Sequence, residues 1–183
     1  MKKVIWKIYF DYEKEEEWLN KMSAMGLAMT GYTWCRYVFE DCEPGEYIYR
    51  LELLENMPGH PESQQYIRFM GDNGIEYVAF YIRWVYFRKK AADGAFDIYS
   101  DIESRTRHYK RILAMWIPLC ILDFGVGVAN LLIGLLDGAP VGGSPANLWA
   151  SFVVFAIGAI IAYQCIKVGR KLAALNREKT LRE

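Results

Sequence analysis

Residues 114–136 read AMWIPLCILDFGVGVANLLIGLL, an apolar run with no lysine or arginine and a single acid, Asp123. As a helix, this run is long enough to cross the roughly 30 Å hydrocarbon core of a bilayer. A second run, 148–166, carries no charge at all. Between them lies a Gly- and Pro-rich connection, DGAPVGGSPAN (137–147), long enough to reverse the chain and too small for a receptor domain. The pair predicts a two-helix transmembrane hairpin. Trp116 and Trp149 stand near opposite interfaces, as anchoring aromatics should.

Charge placement sets the expected orientation. Arg105, Arg107, Lys110 and Arg111 precede the first run, Lys167, Arg170 and Lys171 follow the second, and the connection has no basic residue. The positive-inside rule then puts both termini in the cytoplasm of a multi-pass cell-membrane protein. The N-terminal MKKVIWKIYF is basic, but its apolar stretch is short and Asp11 and Glu13 interrupt it, so it does not read as a secretory signal. The tail KVGRKLAALNREKTLRE is helix-permissive and basic at its membrane end; it can meet anionic headgroups as well as enforce orientation.

Working back from the membrane, Ser100-Asp101-Ile102-Glu103 has the spacing of a capping box, and no turn signal separates it from the apolar run. One long helix is expected from about Asp101 into the bilayer, with a kink at Pro118, coupling the preceding domain mechanically to the membrane. The chain therefore divides into a cytoplasmic domain, 1–99, and a membrane part, 100–183, holding spans at about 114–136 and 148–166.

The first domain is aromatic-rich. Val4, Trp6, Ile8 and Phe10 alternate and predict a strand. Asp11 caps a helix whose Trp18, Leu19, Met22 and Met25 form an apolar stripe and which Gly26 stops. Its acids Glu13, Glu15, Glu16 and Glu17 read as a solvated face favoured by the helix dipole. Residues 30–40 predict a strand, Glu43–Glu46 a turn, and 47–54 a strand hairpinned to the one before. Pro61 opens a second helix with Tyr66, Ile67 and Met70 on one side. Residues 75–90 are too long for one strand, so a bend near Tyr81–Arg83 is expected. The order βαββαβ predicts an α+β, ferredoxin-like sandwich with one antiparallel sheet.

Several function classes are disfavoured. Residues 1–111 sum to −2 and 112–183 to +2, without the basic excess that nucleic acid requires. An RNA-recognition reading of the aromatic sheet fails because YIYRLELL does not carry the expected aromatic motif. Cys35, Cys42, Cys120 and Cys165 form no CxxC and read as free thiols or small buried hydrophobes. His60 reads as a loop residue between Gly59 and Pro61, and His108 belongs to the basic juxtamembrane helix. No nucleophile elbow, phosphate loop, dinucleotide fingerprint or metal-ligand cluster is present, so no catalytic, cofactor or metal residue is assigned and an enzyme is not expected.

Asp123 and Asn130 lie seven residues apart on nearly one face of the first span. Polar groups there are expensive and suggest function. The second span offers only Ser151, Tyr163 and Gln164 as partners. Packing or assembly is the favoured role, helped by Gly125, Gly127, Ala129, Gly158 and Ala162, which allow close helix approach. Ion or proton movement would need an oligomer.

In combination, Glu16-Glu17-Trp18-Leu19-Asn20-Lys21-Met22, Arg36-Tyr37-Val38-Phe39-Glu40, the run EPGEYIYR (43–50), Tyr86-Phe87-Arg88 and Ile98-Tyr99-Ser100-Asp101-Ile102 resemble a bacterial family of unknown function, number 2812. The resemblance covers about residues 4–110, and a membrane hairpin is usual in that family. It implies no catalytic residues. Members often neighbour PadR-type transcription regulators, which implies regulation by association only. The expectation is a membrane-anchored binding or regulatory module, with the bilayer and a protein partner or second copy as its contacts and no nucleic acid. The alternative is an accessory subunit or small oligomeric transport component using Asp123.

Overall fold

The computed structural model describes residues 2–99, 101–137 and 146–182. Ser100 of the expected capping box and residues 138–145 of the connection lie outside the described residues. The chain divides into two compact units, Met1–Asp101 and Ile102–Glu183.

The first unit is α+β. It runs β1 (Lys3–Trp6), α1 (Tyr12–Ala24), β2 (Leu27–Thr33), β3 (Arg36–Asp41), β4 (Tyr47–Leu53), α2 (Pro61–Asp72), β5 (Glu76–Tyr81) and β6 (Trp84–Lys90), then a short 3-10 turn, Ala91–Asp93. The single ferredoxin-like sheet expected from the sequence is replaced by two antiparallel sheets, ordered β1-β3-β2 and β4-β6-β5. The difference originates at Trp34-Cys35. Both residues adopt positive φ, 42° and 62°, and fold the stretch expected as one strand into the tight hairpin β2–β3. Such a turn is usually signalled by Asn-Gly or Asp-Gly, which this stretch lacks. The last expected strand also divides, with its turn at Ile82-Arg83. β4 consequently pairs with β6 rather than with the strand before it.

The two sheets are built by one βαββ pattern used twice. Ala28 pairs with Glu40 and Glu76 with Arg88; Met29 pairs with Phe39 and Tyr77 with Phe87; Gly31 pairs with Val38 and Ala79 with Tyr86. Each second pair lies 48 residues after the first. The register shift recurs at the same place, between Met29 and Gly31 and between Tyr77 and Ala79. Gly26 and Gly74, which enter these strands, both take positive φ, 80° and 76°.

The sheets are not covered alike. Leu19 and Met22 of α1 share one core with Met29, Tyr37 and Phe39 of the first sheet and Tyr49, Leu51, Ala79 and Tyr86 of the second. Met70 of α2 packs with Val85 and Phe87 on the other face of the second sheet. The second sheet is thus buried on both faces. The first contributes Tyr37 and Phe39 to the core, while Val4 and Trp6 stay exposed. The expected alternation of Val4, Trp6, Ile8 and Phe10 therefore marks the outward side; Ile5 and Tyr9 are the residues that pack inward.

The second unit is α3 (Ile102–Asp137) and α4 (Ala146–Arg182). Both are long and apolar enough to cross a membrane, and only 11% and 22% of their most apolar windows are buried. Core helices of a soluble protein would be mostly buried, so these apolar surfaces face outward. Pro118 lies inside α3, and α4 continues unbroken through the basic tail.

Candidate functional site

Of the acids of α1, Glu17 is exposed as expected, but Glu15 and Glu16 do not belong to a solvated face. Asp11 caps the helix by accepting from the Glu13 N–H at 3.2 Å, which fixes where the next turn points. Glu15 then falls in line with Leu19 and Met22 and is carried into the core, 7% exposed. Its Oε1 accepts from the hydroxyls of Tyr37 and Tyr86, each at 2.6 Å, one from each sheet. The Tyr32 ring lies against both, with centroids 4.6 and 4.9 Å away. Burial raises the Glu15 carboxyl above its ordinary pKa, and the two hydroxyl donors offset part of that rise. Burial and the adjacent carboxylate push both tyrosines far upward, so they remain donors. The group is a polar strut between the two βαββ halves.

Next to it, α1 closes an open strand edge. Glu16 Oε1 accepts from Leu51 N–H at 2.7 Å. Asn20 accepts from Tyr49 N–H at 2.8 Å and donates to its carbonyl at 3.2 Å. Ser23 accepts from Tyr47 N–H at 3.1 Å and donates to its carbonyl at 2.7 Å. The spacing works because a helix advances about 6 Å in four residues and a strand about 6.6 Å in two. Three side chains at i, i+4 and i+7 therefore reach every second residue of β4. Burial lifts the Glu16 carboxyl to about 7, against the opposing pull of the Leu51 N–H and Arg50. The signal was present in the sequence: Glu15 shares the helical face of Leu19 and Met22, which an acid in solvent would not need.

In the membrane-length unit, Asp123 of α3 packs its carboxyl against Gly158 of α4. Its Oδ2 is buried with no hydrogen-bond partner among the described residues. Asn130 is satisfied within its own helix, donating to Val126 O at 2.9 Å, so the two polar groups do not form one site. A Cβ on Gly127 would lie 2.7 Å from the Phe155 ring, and one on Gly134 would lie 2.8 Å from the Leu148 backbone nitrogen. Gly125 meets nothing within 4 Å and does not serve this packing. These contacts make α3 and α4 antiparallel, so Arg105, Arg107, Lys110 and Arg111 lie at the same end of the pair as Lys167, Arg170 and Lys171. Arg107 is paired with Glu103 at 3.2 Å.

His60 is the N-cap of α2, and His108 is fully buried on α3. All four cysteines are free. Among the described residues no group of three His, Cys, Asp or Glu is placed to hold a metal ion. A surface groove is lined by Glu43 to Glu46 and Lys90 to Ala92, none of which belongs to the Glu15 cluster.

Residues 11–121 match the model of the family described as Protein of unknown function (DUF2812). The match spans more than half of the chain and runs from the cap of α1 into α3, and the chain belongs to this family. No curated protein and no solved structure matches it.

Proposed function

We propose that the protein is a membrane-anchored binding module with a regulatory role, its α+β unit and both termini on the cytoplasmic side of a bacterial cell membrane. The observation carrying this reading is α3, one unbroken helix that carries Arg105, Arg107, Lys110 and Arg111 in its first three turns and then runs into 23 residues without a lysine or arginine. The basic residues of α4 at the same end support the orientation. The α+β unit acts by binding a protein, because its buried acids are committed to holding the two halves together rather than facing a substrate. Affinity capture of the tagged chain from membranes should recover a defined cytoplasmic protein that is lost when residues 1–99 are deleted. Recovery of only background proteins would reject the reading.

A second reading is favoured by one observation, the buried Asp123 Oδ2 without a partner. In it, the hairpin is an accessory or small oligomeric transport component, and Asp123 meets its partner in another subunit. Asp123→Asn should then abolish assembly or flux; a variant that assembles as the parent does removes this reading.

A further inference from the structure

Two of the four cysteines lie on the helix pair, one on each helix, and these two meet. A side-chain hydrogen bond joins the thiol of Cys120 on α3 to that of Cys165 on α4. The meeting follows from the packing. Asp123 lies against Gly158 and Gly127 against the Phe155 ring, so the helices run antiparallel at short separation and Cys165 stands nearer the basic end than Cys120 does. A Cα–Cβ bond leans toward the N-terminus of its own helix. Cys120 therefore leans toward the basic end and Cys165 away from it, which brings the two sulfurs together. Both thiols are free and only half-buried, so a small molecule can reach them. The other two cysteines have no such arrangement. Cys42 donates to the Glu43 carbonyl at 3.3 Å, and the extended strand β3 separates it from Cys35 by roughly 20 Å.

We infer that Cys120 and Cys165 are a redox-active dithiol that closes to a disulfide between the two helices, with a hydroperoxide as the oxidant. One sulfur attacks the peroxide and the O–O bond breaks. That cysteine becomes a sulfenic acid, and the oxidant leaves as water or an alcohol. The second sulfur then attacks the first, the S–S bond forms, and the sulfenic oxygen leaves as water. The two sulfurs together give two electrons to the peroxide, and each of its oxygens gains one thiol proton. The second step needs no encounter, because the packing at Gly127 and Gly158 already holds the thiols side by side. The bond closes residues 121–164 into a loop and fixes α3 against α4. A low-molecular-weight thiol reverses it by exchange. The inference needs only the packed helix pair and does not depend on its placement in a bilayer.

The test is peptide mapping of the purified full chain in detergent, after hydrogen peroxide in one arm and a fatty-acid hydroperoxide in the other. Remaining thiols are blocked with iodoacetamide under denaturing conditions. Cys120 and Cys165 should be recovered as one disulfide-linked peptide pair within a single chain, with neither thiol alkylated, and dithiothreitol should restore both. The Cys35→Ser/Cys42→Ser variant should close in the same way, whereas Cys120→Ser/Cys165→Ser should form no disulfide within the chain. Closure in one arm alone supports the inference and assigns the oxidant to water or to lipid. Recovery of Cys120 and Cys165 as alkylated thiols in both arms overturns it and leaves them as packing residues. Separate oxidation of the two to sulfinic acids overturns it too, as does a bond found only between chains. Mapping of the unsubstituted chain decides these outcomes whether or not the variants fold.

Discussion

Glu15 and Glu16 are sequence neighbours, but the helix sends them to different tasks. Glu15 joins two tyrosines that the chain keeps far apart, and their two phenolic donors on one oxygen hold it. Tyr86→Phe removes one of them and leaves a buried carboxyl half-satisfied. The expected cost is about 1–3 kcal/mol in urea unfolding of the α+β unit. Tyr37→Phe should act in the same direction, and the double variant should cost less than the sum because both donors serve one atom. Glu16 makes a pH prediction. Its carboxyl is held at about 7 in the folded unit against an ordinary 4.5. The folded state therefore binds the proton more tightly than the unfolded state. Stability is greatest below pH 4.5, falls as pH rises through about 7 and is level above it. The fall should be about 1–3 kcal/mol, with Glu15 adding in the same sense. Glu16→Gln keeps the acceptor for Leu51 N–H and cannot ionise, so urea midpoints measured across this range should lose most of Glu16's share of the slope.

At the scale of elements, α1 is a helix with two jobs, packing on one sheet and closing the edge of the other. Asn20→Ala would strip two partners from the Tyr49 backbone and should destabilise the unit by about 1–3 kcal/mol. Opening that edge should also promote association through β4, detectable by light scattering. The membrane-length pair makes a contrast of glycines. Gly134→Ala forces a Cβ against the Leu148 backbone, which cannot rotate away, and should lower the melting temperature in detergent. Gly125→Ala meets nothing and should leave it unchanged or slightly raised. The sequence announced α1, α2 and the apolar helices well, because caps, Gly stops and a 3.6-residue stripe are local signals. It concealed the strand pairing. Nothing local marks Trp34-Cys35 as a two-residue turn, and β4 takes as its partner β6, more than thirty residues on. The duplication was concealed too: between 12–41 and 60–89 only Met22/Met70, Gly26/Gly74 and Phe39/Phe87 are identical, although the registers coincide. Glu15 was misread for a related reason. Its helical phase with Leu19 and Met22 was legible, but the two hydroxyls that make its burial tolerable come from residues 22 and 71 positions away.

For the whole molecule, the uneven covering of the two halves and the sidedness of the helix pair are two features of separate units. A βαββ unit whose twin is sandwiched on both faces leaves its own outer face bare in a chain that also carries two membrane-length helices. The basic residues of α3 and α4 gather at one end of their pair, and residues 2–10 add three more cations. If the bilayer is the common partner of these cations, the α+β unit, Arg105 to Arg111 and Lys167 to Lys171 must all lie on one side of it. Single cysteines introduced at Lys2, Lys110 and Lys171, in a background where Cys35, Cys42, Cys120 and Cys165 are serine, test this in intact cells. A membrane-impermeant maleimide should label none of the three until the cells are opened, whereas a cysteine at Gly142, in the connection, should label without opening. Labelling of Gly142Cys together with protection of the other three is what a hairpin with both ends inside requires. Labelling at Lys2 alone would separate the first unit from the basic collar and force a different topology. Uniform protection of all four would mean that α3 and α4 associate with each other or with a partner without exposing their connection outside.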